Sequence, residues 1–98
     1  MDRSKILEIA NNYITIDRQA THGQAEDNFK DISRLWSGYL DIEIHPKDVA
    51  MMMVLLKVIR FKKNPGHIDN AIDLCGYGAL AGEMGGAWKV AQNRENNE

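Results

Sequence analysis

Lys57 and Arg60 stand one helical turn apart within VAMMMVLLKVIRFKK, a run that is apolar on nearly every side. At that spacing both side chains leave a helix in the same direction. A helix apolar all round is normally buried, and a buried cation without a partner is costly, so something negative is expected to face the pair. Either Asp69 and Asp73 of the following segment neutralise it or an anionic ligand does. Arginine offers a planar fork that fits phosphate with two parallel hydrogen bonds, and lysine adds a point charge. Asn64, His67 and Asn70 come at the turn just beyond and could orient such a ligand, next to the free backbone amides that open the next helix. Asp73 would position Arg60 or bond to a sugar hydroxyl, and Tyr77, one turn later, would face a base. His22 and Asn28, from HGQAEDN, would close the site from a preceding loop, in the same chain or in another subunit. The competing reading is structural: cations are favoured near a helix C-terminus, and both side chains can reach water along their aliphatic stems.

A different chemistry is suggested by the acids. Asp27 and Asp31 are four apart, as are Asp69 and Asp73, so two facing helices could present four carboxylates to a magnesium ion. Magnesium-dependent cleavage of a nucleoside triphosphate would fit such a site. The alternative is a solvated Asp31, helix-dipole roles for Asp27 and Asp69, and a salt bridge for Asp73. Nucleophilic catalysis has little support, because the lone cysteine, Cys75, falls mid-helix on an apolar stripe and not at an electropositive helix start. His22, His45 and His67 never approach a zinc spacing. With no glycine-rich loop after a strand, a P-loop and a dinucleotide fold are excluded. The expectation is no catalytic residue and no resident metal or cofactor, with magnesium on the four aspartates as the alternative.

These residues need elements to hold them, and the periodicity predicts four helices and no strand. Ile6, Ile9, Tyr13 and Ile16 form the first stripe, widened by Leu7, Ala10 and Ile14, with Asp2 or Ser4 as the cap and an end near Asp17. Ala25, Phe29, Ile32, Trp36 and Tyr39 form the second. Residues 41–44 alternate like a strand but are too short and isolated to pair, so they are read as a loop. Pro46 opens the third helix, which should reach about Lys62 before the Asn64-Pro65-Gly66 turn. The fourth, from His67 to about Met84, carries Ile68, Ile72, Cys75 and Ala79 on a stripe and should stop at Gly85-Gly86. Glycine inside a helix costs about 1 kcal/mol against alanine, so Gly76, Gly78 and Gly82 suggest a closely approaching neighbour.

The fold class expected is all-α: a compact bundle of about four helices, one domain over 1–90 with a disordered tail over 91–98, assembled as a homo-oligomer. A chain of 98 residues with 44% hydrophobic and 27% charged content is ordinary for a soluble domain. A net charge of −2 argues against general nucleic-acid binding. No signal-peptide pattern or membrane-length apolar run is seen, so a cytoplasmic location and no membrane partner are expected.

The segments HGQAEDNFKDISRLWSGYL and IHPKDVAMMMVLLKVIRFKKNPGHIDNAIDLCGYGALAGEM resemble a group of small uncharacterised proteins encoded by phages and prophages. The resemblance runs from about Asp17 to Met84 and rests on His22-Gly23, Asn28-Phe29, Leu35-Trp36, Asp48-Val49-Ala50, Lys57, Arg60, Asn64-Pro65, His67, Asp69, Asp73 and Gly76-Tyr77. That group is in turn distantly similar to the all-α MazG-like nucleoside triphosphate pyrophosphatases, which hold magnesium on ExxE and ExxD motifs. Here aspartates four apart stand where those motifs have acids three apart. The resemblance thus implies a nucleotide-sized site in the cytoplasm of a bacterial host. It also implies a role: capturing a phosphorylated nucleotide, cyclic or of ADP-ribose type, as a sponge for a bacterial immune signal. The alternatives are a MazG-like pyrophosphohydrolase and a protein-interaction inhibitor of a host enzyme.

Overall fold

A computed structural model describes residues 1–17 and 25–97. The described residues form four α-helices and no strand: α1 Arg3–Asn12, α2 Ala25–Leu40, α3 Pro46–Lys63 and α4 Ile68–Asn97. A π-helical turn, Tyr13–Asp17, extends α1. The core is made where α2 and α4 pack against α3: Phe29, Val49, Ala50, Leu80, Ala81 and Met84 are buried together, with Ile32, Trp36, Ile44 and Tyr77 packed against them. The most extensive packing is between α3 and α4, the two arms of a helical hairpin. At about 1.5 Å per residue, the 30 residues of α4 account for most of the 49 Å long axis.

Local chemistry sets the helix ends. Asp2 caps α1 by accepting from the Lys5 backbone N–H at 2.9 Å. The π turn changes the phase of the first stripe, because one more residue per turn rotates the side chains beyond it. Tyr13 and Ile16, expected inside, are therefore exposed, while Ile14 turns inward against Gly76. A Cβ at Gly76 would lie 3.0 Å from Ile14 Cγ2, so glycine there lets the end of α1 approach α4. The close neighbour expected at Gly78 and Gly82 is not found, since a Cβ at either would meet nothing within 4 Å.

The second stripe holds for Phe29, Ile32 and Trp36, whereas Tyr39 lies out in solvent. Beyond α2 the chain reverses through Asp41, whose φ of 55° is left-handed, and the Ile42 N–H reaches back to the Ser37 carbonyl at 3.3 Å. Ser37 then pins the loop: its hydroxyl donates to the Ile44 carbonyl at 3.1 Å and accepts from the Ile44 N–H at 2.9 Å. At the head of α3, the His45 backbone N–H donates to Asp48 Oδ2 at 3.0 Å. Lys47 Nζ lies 2.9 Å from Asp48 Oδ1. These contacts, led by the Lys47 hydrogen bond and followed by the His45 amide, hold the Asp48 carboxyl below its usual value.

Two expectations are corrected. Burial of α3 on all sides is not observed: only Val49 and Ala50 are buried, and Met51, Met52, Leu55, Val58 and Ile59 are exposed. Within one chain, α2 and α4 cover only one side of α3. The fourth helix also does not stop at Gly85-Gly86. Neither glycine takes the left-handed backbone that ends a helix, and α4 continues to Asn97.

Candidate functional site

The α3–α4 turn generates a cleft. The last two turns of α3 carry Lys57, Arg60 and Lys63, and residues 64–66 reverse the chain. The Asn64 N–H donates to the Arg60 carbonyl at 2.9 Å, the His67 N–H to the Asn64 carbonyl at 3.2 Å, and the Asn70 N–H to the His67 carbonyl at 3.1 Å. This unbroken chain of bonds brings both helix ends together around a void of about 390 Å³. Its lining contains Lys57, Arg60, Asn64, His67, Asn70 and Asp73, six residues that the sequence singled out as one site. Lys63 and Asp69 complete it.

Lys57 and Arg60 meet different fates there. The Lys57 side chain is only 12% exposed, and its Nζ lies 3.0 Å from Asp73 Oδ2, so this cation is neutralised within the chain. Arg60 is exposed and has no carboxylate within ion-pair distance among the described residues. Asn70 is the second unmet group. It is 6% exposed, yet its side-chain amide has no hydrogen-bond partner among the described residues. Buried amides are nearly always bonded, so an exception opening on a cleft has unused capacity for a ligand or water. His67 Nε2 is 3.9 Å from Asp69 Oδ2, a long and exposed pairing of little strength. Three cations against two carboxylates leave one positive charge in excess, counting His67 as neutral.

Not every expected residue arrives. Tyr77 does not line the cleft. It packs on Phe29, ring centroids 6.3 Å apart, and borders a separate void of about 60 Å³ with Tyr13, Ile14 and Gly76. Being four residues on from Asp73 was not enough, because that step carries the side chain along α4 toward α1 and α2. Asp73 lines both voids. Asn28 is half-buried on α2 and is not part of the cleft lining. His22 lies outside the described residues.

The four aspartates do not converge. Among the described residues, no group of three or more His, Cys, Asp or Glu side chains could hold a metal ion. Asp31 lies 3.9 Å from Arg34 on the surface of α2, and Asp73 is engaged with Lys57. Cys75 is half-buried. Lys63 was recognisable as a charged residue in the last turn, but nothing in its spacing distinguished it from Lys62.

Residues 5–85, which contain the whole cleft, match the family described as a domain of unknown function (DUF6378). The chain belongs to this family. Two similar relatives are both named "Gene 55 protein". That of Mycobacterium phage L5 is 39% identical over 80 residues, covering 81% of this chain and 51% of the relative. That of Mycobacterium phage D29 is 44% identical over 72 residues, covering 74% of this chain and 48% of the relative. The chain thus spans about half the length of the curated relatives it matches. No solved structure matches. Among the described residues, no helix is long and apolar enough to cross a membrane.

Proposed function

We propose that this family member captures a phosphorylated nucleotide in the cleft at the α3–α4 turn. The observation that carries the reading is the pairing of two unmet groups in one void: the exposed Arg60 guanidinium and the buried Asn70 amide. Arg60 would take phosphate oxygens with its fork. Lys63 would add charge, and Asn64, His67 and Asn70 would orient the ligand by hydrogen bonds. Asp73 would keep Lys57 fixed as part of the floor. A void of this size falls at the lower end of small-molecule sites, about 300–1,000 Å³.

Charge narrows the ligand class. One excess positive charge matches one phosphodiester charge better than a triphosphate, which would also be repelled by Asp69 and Asp73 at close range. A cyclic mononucleotide, with about one negative charge, matches this balance best. A cyclic dinucleotide or ADP-ribose-type nucleotide, with about two, comes closer to it than a nucleoside triphosphate with about four. The dispersed carboxylates favour capture without turnover over magnesium-dependent hydrolysis. In a phage-encoded protein, capture of such a molecule would serve as a sponge for a host immune signal.

The test is a thermal-shift panel of cyclic mononucleotides, cyclic dinucleotides and ADP-ribose, with mass spectrometry of small molecules released from heat-denatured protein. At 100 times Kd a ligand should add about 2.7 kcal/mol of stability. Arg60→Ala should abolish the shift and leave the unliganded melt within about 0.5 kcal/mol, since the residue is exposed and has no ion-pair partner among the described residues. Unchanged affinity in Arg60→Ala would refute the assignment.

A further inference from the structure

The outward face of α3 lies apart from the cleft and has no role in it. Met51, Met52, Leu55, Val58 and Ile59 are between 42% and 59% exposed and form a continuous band. At 100° per residue the band is centred on Leu55. Asp48, seven residues before Leu55, and Lys62, seven residues after it, fall within about 20° of its midline on opposite sides. This heptad spacing lets one face of a helix track a straight partner. Along the midline the face reads acid, apolar, base, with equal distances on either side of Leu55.

We infer that a second copy of this chain packs antiparallel on this face, with a two-fold axis at Leu55. A two-fold interface must be self-complementary, and this one is. Reversal places Asp48 against the partner's Lys62, and Lys62 against the partner's Asp48. It also places Met52 beside the partner's Ile59, Met51 beside the partner's Val58, and the two Leu55 side chains together. A parallel pairing would instead set like charge against like at both ends.

Charge and area give further support. Lys62 has no carboxylate within ion-pair distance among the described residues, and the Asp48 carboxylate, although bonded to Lys47 and the His45 amide, stays 40% exposed. The sole charge between Met51 and Ile59 is Lys57, which is turned away to Asp73. The open apolar area of these five residues is on the order of 500 Å², toward the upper end of what monomers leave uncovered and somewhat over half of one partner's share of a standard interface. A lipid surface is a poorer occupant, because a face that binds membranes is bordered by basic residues and this one carries an acid at one end.

Light scattering of the full chain at about 100 μM should give twice the 11.1 kDa chain mass. Leu55→Glu brings two carboxylates together on the axis and should raise the dissociation constant at least ~100-fold, with helical circular dichroism unchanged. Lys62→Glu should weaken self-association by about 10-fold, and mixing that variant with Asp48→Lys should restore a heterodimer. A monomeric wild-type chain would overturn the proposal, including the case where the face binds a different protein. So would a dimer indifferent to Leu55→Glu. Lys62→Glu leaving association unchanged would overturn the antiparallel arrangement even if Leu55→Glu failed to fold.

Discussion

The inward and outward faces of α3 are built from opposite materials to those that burial alone would assign. Inward lie the buried Val49 and Ala50, the half-buried Met53 and Val54, and then the charged Lys57. Outward lie methionines, a leucine, a valine and an isoleucine, exposed to solvent. On the inward face Val49 and Ala50 are closed off from solvent, and Lys57 has its counter-charge supplied by Asp73. The apolar residues of the outward face are left open to solvent, and its one acid, Asp48, is held by Lys47 and the His45 amide. Hydrophobicity alone therefore does not tell which side of α3 its own chain covers.

The contrast is most sharply broken by introducing the same residue on each side. Val49→Glu puts an unpaired charge at a fully buried position and should cost more than about 3 kcal/mol, enough to unfold a small domain. Leu55→Glu at the centre of the outward face should change monomer stability by no more than about 1 kcal/mol. Urea denaturation at low protein concentration measures both. Equal losses would mean that the two faces are not distinct.

The next effect concerns the one charged pair on the inward side. Lys57→Met leaves Asp73 without its partner and should cost about 1–3 kcal/mol, while Lys57→Met with Asp73→Leu should recover most of the loss. A double-mutant cycle by chemical denaturation reads the coupling, and additive losses would show that the pair contributes no specific stability.

The smallest effect is on the outward midline, at Asp48. Its carboxyl is held below the usual value, first by the Lys47 hydrogen bond and then by the His45 amide. A depressed folded-state pKa gives stability that is present above the unfolded value and lost as pH falls through the folded one. Because the side chain is 40% exposed, water screens the effect to well under about 1 kcal/mol. Denaturation midpoints of wild type and Asp48→Asn should converge as the solution is acidified from neutrality through the carboxylate range. A constant gap between them would remove the carboxylate from the account.

Much of this architecture was legible in the residues. Pro46 and Asn64-Pro65-Gly66 set both ends of α3 to within a residue, because ring closure and turn chemistry act locally. The clustering of Lys57, Arg60, Asn64, His67, Asn70 and Asp73 was legible for the same reason: a tight turn leaves the flanking helix ends little choice of neighbours. Tyr77 and Asn28 do not line the cleft within one chain, because their positions depend on how α1 docks on α4 and α2 on α3, which no local signal specifies. The outward rotation of Tyr13 was hidden by the π turn, where the Thr15 hydroxyl bonds back to the Asn11 carbonyl at 2.7 Å. The division of α3 into covered and open faces was also invisible, since its hydrophobic pattern is nearly uniform around the helix.

Asp73 borders both voids, so a shift of its side chain is felt in each. A guest that pulled Lys57 or Asp73 even slightly would alter the smaller chamber, where Tyr13, Ile14 and Tyr77 border the junction of α1 with α4. The aromatic rings at that junction are thus placed to register, in their own absorbance and emission, what happens in the larger one.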